Sequence, residues 1–324
     1  TLYHLIFIVK IKNNMRVCIL GGNLSSLSLA KALVNQNIFV DVIGNLKSNS
    51  LNKTRTLGIS KSNVDFFNKN IININKILWK IKRIEIYSDN FKKEKLINFN
   101  SNSEYLFSII SNYKLYNIIK ISLEKSRYFR NTNSKVKNSL FRKYDLVINT
   151  DYSSPITKKY FSKNILKKYN SYALTTIINH EKVLNNTATQ IFTRNGPLAF
   201  LPISEKKTSI VYSVHNYKDK KNENIKNLIQ NADLKYKIKK IEKISFVELK
   251  ATNLRSYYYK NILAFGDLLH KIHPLAGQGF NMTIRDIKNL IIIINTKISL
   301  GLPLDCTVNS EFEKKSKDKN FIFS

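Results

Sequence analysis

An acid at the end of a short apolar run, then two histidines, then two glycines ahead of a helical pattern: these residues are the ones best placed to do chemistry. The run is Ile262-Leu263-Ala264-Phe265, and Gly266-Asp267 follows it directly. His270, His273, Pro274, Gly277, Gln278, Gly279 and Asn281 come next. A carboxylate at the carboxyl end of a buried strand can accept hydrogen bonds from ribose or ribityl hydroxyls. Glycines at a helix start let the backbone approach a flat or anionic ligand closely. The two histidines could share a helix face as metal ligands. Pro274 breaks a helix at that point, no third ligand accompanies them, and no metal site is assigned. Nothing in the stretch demands an acid–base pair, so no catalytic base is assigned either.

The elements that must carry these groups read as alternating strands and helices. Val17–Leu20 is a buried strand, followed by Gly21-Gly22 and a helical stripe of Leu27, Ala30, Leu33 and Val34. Ile38–Ile43 is a second strand, and this β-turn-α-β order begins a dinucleotide-binding unit. Its glycine pattern is incomplete, because Asn23 and Ser26 stand where G-x-G-x-x-G has its second and third glycines. Asn23 is expected to crowd a diphosphate, and Ser26 to loosen helix–strand packing. Gly44 stands where an acid would hold ribose, and Asp41 has the wrong parity to replace it. Tyr144–Ile148 is a third strand ending near Asp151, and Leu115, Ile118, Ile119 and Leu123 mark another helix. The runs Ile81–Tyr87, Pro197–Ile203, Ser209–Val214 and Ser245–Leu249 predict an antiparallel sheet in a second domain. Lys218–Asn227 reads as a charged, Asn-rich loop or helix start that is solvated, and Glu311–Lys319 as a charged helix or frayed tail.

Bulk properties narrow the classes. The 324 residues suffice for about two domains. The formal net charge of +32 raises the possibility of a nucleic-acid partner. Lysines scattered along the whole chain, with few arginines, read instead as compositional bias, and no nucleic-acid partner is assigned. Weak attraction to anionic lipid fits the same charge. The longest apolar run, Leu290–Ile294, is far below the roughly 20 residues needed to span a bilayer. Two cysteines, Cys18 and Cys306, fit a reducing compartment, with Cys18 in the core. Hydrolase and kinase readings lack a Ser-His-Asp order or a Walker loop. Met15 reads as a natural beginning, with residues 1–14 upstream of it.

The Gly266–Asn281 stretch resembles the flavin-binding C-terminal motif of the FAD-dependent aromatic hydroxylases, and more narrowly the ubiquinone-biosynthesis hydroxylases with their GDAAH…HPxAGQGxN. Gly266, Asp267, His270, His273, Pro274, Ala276, Gly277, Gln278, Gly279 and Asn281 fall on family positions, and Arg285-Asp286 match the Arg-Asp that follows. Arg55–Ser60 with Ser62 resembles the family's R-x-x-A-L-S-x-S segment, and Gly196–Ile203 its G-P-L-A-x-L-P-L strand. Asn149-Thr150-Asp151-Tyr152 stands where the family has a strand followed by A-D-G. In the family, further helices follow the region where residue 324 falls.

The resemblance implies an α/β fold: a Rossmann-like FAD-binding domain interleaved with an antiparallel-sheet substrate domain. The FAD-binding portions are residues 15–75, 105–160 and 253–324, and the substrate portions 76–104 and 161–252. It implies FAD as cofactor, with NADH or NADPH and O₂ as co-substrates. The activity implied is hydroxylation of a polyprenylated phenol in ubiquinone biosynthesis by a flavin C4a-hydroperoxide. The cofactor would be held by Gly21, Gly22, Arg55, Asp151, Gly266, Asp267, Pro274, Gly277, Gln278, Gly279 and Asn281. Pro197, Phe200, Leu201 and Tyr212 would wall the substrate chamber. Leu268-Leu269 replace small residues and are expected to narrow the space beside the flavin. Partners implied are the lipid-linked phenol and a ubiquinone-biosynthesis complex. The location implied is the cytoplasm, with peripheral contact at the inner membrane. The departures at 23, 26 and 44 keep open a second reading, a non-catalytic binding or assembly subunit. They also predict that Asn23→Gly with Gly44→Glu tightens FAD binding.

Overall fold

Short apolar strands build the first sheet. In a computed structural model that describes residues 15–46, 53–88, 94–100, 104–133, 142–215, 222–233, 235–271 and 278–321, β1 (Arg16–Leu20) pairs in parallel with β2 (Phe39–Ile43) on one side. On its other side it pairs in parallel with β9 (Leu146–Asn149). Beyond β2 lies β8 (Phe129–Thr132), and beyond β9 lie β17 (Ile262–Ala264) and the short antiparallel β16 (Tyr258–Tyr259). Helix α1 (Leu24–Val34) follows β1 and is enclosed on nearly every side, as its Leu, Ala and Ser content permits. It contacts α3 (Asn112–Glu124) and α6 (Gln278–Ser299). Asp41 leaves the β2 core face and accepts bidentate hydrogen bonds from Arg130 at 2.9 and 2.8 Å, and one from Tyr144 at 2.7 Å. Cys18 is wholly buried, and burial pushes its thiol up to about 12.

Longer strands make the second sheet. Its order is β18 (His270–Lys271), β15 (Ser245–Leu254), β10 (Asn164–His180), β13 (Lys207–His215), β12 (Gly196–Ser204), β11 (Thr187–Thr193), β5 (Arg83–Ser88) and β6 (Lys95–Asn100), with β14 (Ile238–Ile241) also on β10. Pairing is antiparallel except between β11 and β5. A three-stranded sheet, β3 (Thr56–Ser60), β7 (Phe107–Ser111) and β4 (Trp79–Ile81), joins the two halves. Ile81 and Ile109 of this sheet pack with Ala188 and Leu201 of the second. Helix α2 (Lys61–Asn70) leaves β3 with Ser60 as its N-cap, and the one-and-a-half-turn α4 (Pro155–Tyr160) follows β9.

One expectation is corrected. The charged stretch after β13 is not simply solvated: α5 (Asn222–Ala232) lays Ile225 and Ile229, one turn apart, onto the sheet. Residues 218–221 lie outside the described residues. Of the two readings of Glu311–Lys319 the structure has the helix: α7 (Cys306–Phe321) docks on the first sheet. Val308 and Phe312 enter the core, with Phe312 and Phe265 rings 5.8 Å apart. Asn309 donates to the Lys260 carbonyl at 3.1 Å, and Asn320 to the Tyr257 hydroxyl at 3.3 Å. Among the described residues no helix is long and apolar enough to cross a membrane.

Candidate functional site

Adjacent parallel strands bring three separate motifs to one edge of the first sheet. β17, β9 and β1 are neighbours, and their carboxyl ends deliver Gly266-Asp267, Thr150-Asp151 and Gly21-Gly22 respectively. Ligands of open α/β sheets bind at this edge. Gly266 has φ +64°, and a Cβ there would come within 2.7 Å of the Ser25 Cβ, so only glycine lets the chain pass helix α1. A short 3-10 turn, Gly266–Leu268, then presents Asp267 half-buried. Its carboxylate accepts no hydrogen bond from the described residues; its backbone carbonyl accepts one from the Tyr152 hydroxyl. Burial and the nearby Asp267 charge push the Tyr152 phenol above the ordinary tyrosine range. Leu268 and Leu269 point into the core instead of narrowing a cofactor space.

The departures in the first turn are wired to one another. Asn23 is the N-cap of α1, with φ −86°, and its Oδ1 accepts from Ser26 N and Ser26 Oγ, each at 2.9 Å. Its Nδ2 donates to the Thr150 carbonyl at 3.2 Å. Ser26 Oγ lies 2.7 Å from Thr150 Oγ1, which also donates to the Leu20 carbonyl at 2.9 Å. Ser26 therefore does not loosen the helix against the strand; it fastens it, and is fully buried. The Asn23 side chain turns inward to the helix end and β9, so its effect is to occupy donors rather than to crowd from outside. Gly21, with φ +109°, could not carry a Cβ without colliding with Thr150 Oγ1, and a Cβ on Gly22 would lie 2.6 Å from the Asn45 carbonyl oxygen.

Gly44 overturns the expected benefit of an acid. Its Cβ would sit 2.8 Å from Gly21 C and 3.0 Å from Gly22 N, both backbone atoms that cannot swing aside. We expect Gly44→Glu to lose about 1–3 kcal/mol of stability through overpacking, with no gain in FAD affinity. A shift of the urea midpoint to lower concentration checks this; an unshifted midpoint with tighter FAD binding contradicts it.

The other assigned cofactor residues scatter in role. Asp151 is turned onto its own loop, where Oδ1 accepts from Ser153 N at 2.8 Å and Ser153 Oγ at 2.7 Å. Asn281 ties α6 to the β3–α2 corner: its Oδ1 accepts from Ser60 N at 3.2 Å and Asn63 Nδ2 at 2.8 Å, and its Nδ2 donates to the Gly58 carbonyl at 2.9 Å. The two resembling segments, near 58 and near 281, thus touch through this residue. Arg55 is exposed just before β3. Gly279 lies in the first turn of α6, and a Cβ there would meet no described heavy atom within 4 Å. Pro274 and Gly277, with His273, lie outside the described residues, as does the side chain of Gln278, the first residue of α6.

Strand parity divides the proposed substrate wall. Leu198 is paired with Tyr212, and Phe200 alternates with Leu198, so Phe200 and Tyr212 share the face covered by α5. Both are core residues. Pro197 and Leu201 occupy the opposite face, where Leu201 packs toward the three-stranded sheet. Thr56, next to Arg55, donates to Ser209 Oγ at 3.0 Å on that same face. The face opposite α5 therefore carries Pro197, Ala199, Leu201 and the half-buried Val211, while Phe200 and Tyr212 lie in the core beneath α5.

One pair escaped assignment as a partnership. His270 Nε2 lies 2.5 Å from Asp286 Oδ2, with both side chains at 2% exposure or less. Arg285 approaches the other oxygen at 3.5 Å. The resemblance marked both positions, but only the fold joins β18 to α6 through them. Among the described residues no cluster of His, Cys, Asp and Glu could hold a metal.

An acid, a left-handed glycine and a helix start thus gather at the α/β sheet edge where open sheets bind ligands. Residues 170–299 match the family described as FAD binding domain. The chain is similar to the mitochondrial ubiquinone biosynthesis monooxygenase of Mus musculus, 25% identical over 44% of this chain and 38% of that protein. Its likeness to the 3-demethoxyubiquinol 3-hydroxylase of Escherichia coli is 32% over 35% of this chain and 30% of that protein. These matches each span less than half the relative's length. Among solved structures, PqsL of Pseudomonas aeruginosa in complex with 2-aminobenzoylacetate superposes with TM-score 0.77 at 15% identity, covering 95% of this chain and 93% of that one. The p-nitrophenol 4-monooxygenase PnpA of Pseudomonas putida gives 0.74 at 13% identity, covering 95% and 86%. The solved structures share the fold of this chain, and the relatives resemble it over part of its length.

The residues fit a flavin unevenly. Asp267 and the start of α6 suit its ribityl chain and ring. The first turn, closed by Asn23, Gly44 and Thr150, does not offer the usual grip on an adenylate.

Proposed function

We propose that this chain is an NAD(P)H-dependent flavoprotein monooxygenase that hydroxylates a polyprenylated phenol in ubiquinone biosynthesis. The observation that carries the reading is Asp267, a half-buried carboxylate free of hydrogen bonds from described residues at the end of β17, facing the same sheet edge as α1 and α6. A ribityl or ribose hydroxyl would complete a carboxylate so placed. Bound flavin would supply the redox chemistry, taking hydride from NADH or NADPH and passing one oxygen atom of O₂ to the ring. The chain's own part is positioning. Asp267 accepts from the ribityl side. The N–H groups in the first turn of α6, at Gln278 and Gly279, would favour negative charge on the flavin ring. Pro197, Ala199, Leu201 and Val211 give an apolar wall that keeps water from the reacting ring.

The relatives named for ubiquinone biosynthesis support the substrate class. The net charge of +32 supports a peripheral seat on anionic lipid, where a lipid-linked phenol would lie. Aerobic incubation with flavin, NADH or NADPH and a polyprenylated phenol should yield a product heavier by one oxygen atom. Consumption of NAD(P)H with only peroxide formed would remove the substrate assignment. The closed first turn favours one rival, a non-catalytic subunit of a biosynthetic assembly; that chain would take up no flavin.

A further inference from the structure

We infer that this chain holds a flavin by its ring and ribityl half alone, so that FMN binds it about as tightly as FAD. The inference rests on the flavin reading above and deepens it.

Three observations converge on the adenylate side. A dinucleotide turn contributes affinity through helix N–H groups offered to the diphosphate and an acid offered to the ribose. Here the Ser26 N–H is already taken by Asn23 Oδ1 at 2.9 Å, and the Asn23 amide is in turn tied to the Thr150 carbonyl. The ribose acid is missing at Gly44, and the backbone of Gly21 and Gly22 stands where its Cβ would go. Asp41, the acid on the same strand, is consumed by Arg130 and Tyr144. Across the crevice, the Asn45 carbonyl closes on Gly22, whose own carbonyl accepts from Tyr116 at 2.9 Å.

The flavin side shows the opposite character. Among the described residues Asp267 keeps a free carboxylate and a Cβ on Gly279 would meet no heavy atom within 4 Å, and Gly266 keeps its left-handed turn. Asn23, Ser26 and Thr150 come from segments more than 120 residues apart, yet they satisfy one another. Such mutual satisfaction is a replacement for the ligand's bonds, not random loss of them.

A charged hydrogen bond of the ribose–acid kind ordinarily multiplies affinity by roughly 10- to 150-fold. Without it, and without the capped N–H, the adenylate contributes little. The test is a titration of the full chain with FAD, FMN and riboflavin, each followed by quenching of flavin fluorescence, with ADP added as competitor. We expect FAD and FMN dissociation constants within about threefold of each other and no displacement by ADP. FAD tighter than FMN by about 100-fold, or displacement by ADP, overturns the inference while leaving the flavin reading intact. Failure of all three flavins to bind overturns both.

Discussion

Replacing Asp267 by alanine is expected to strip the chain of its flavin while leaving the fold in place. The carboxylate accepts no hydrogen bond from the described residues, so folding gains little from it. The turn that carries it is held by backbone contacts, with Leu269 N donating to the Gly266 carbonyl at 2.9 Å. Loss of stability should stay within about 0.5 kcal/mol. Loss of a charge-assisted hydrogen bond to a ribityl hydroxyl is larger, about 1.5–3 kcal/mol, or roughly 10- to 150-fold in affinity. Flavin that co-elutes with the parent chain on gel filtration should then elute free of Asp267→Ala, whose melting temperature is unchanged. Equal flavin occupancy in both proteins would remove Asp267 from the cofactor site.

Asp286→Ala should unfold the protein far more readily. The carboxylate is fully buried against His270, with Arg285 at its second oxygen. Removing one partner of a buried hydrogen bond leaves the other unsatisfied, at a cost of about 1–3 kcal/mol. That is a large share of the roughly 5–15 kcal/mol that holds a typical domain. The pair also joins β18 to α6, the two elements that bracket the 272–277 segment. Urea denaturation should show the midpoint falling sharply. A midpoint within error of the parent would mean that the pair contributes nothing net.

The parts of the fold legible in sequence were those written in apolar runs. β1, β2, β9 and β17 each announce themselves as a few buried residues bounded by turns. For α7 the helix was legible but its docking was not, because its buried face includes Asn309, Ser316 and Asn320, whose partners are backbone and side chains far away in the chain. α5 was obscured by charges around Ile225 and Ile229. At the site, strand, acid and glycine in that order pointed to Asp267 and Gly266. The meaning of Asn23 and Ser26 depended on Thr150, which no local pattern connects to them. The split of the substrate wall was a matter of parity: Pro197 and Leu201 are odd in β12 and Phe200 is even, so one face could never hold all three.

Flavin binding at the edge formed by β17, β9 and β1 can be read in the visible absorption spectrum of the purified chain after mixing with FAD and desalting. A flavin spectrum should travel with the protein, bleach on adding NADH or NADPH without air, and return when air is admitted. A folded but colourless protein, with all the flavin in the small-molecule fraction, would contradict binding at this edge.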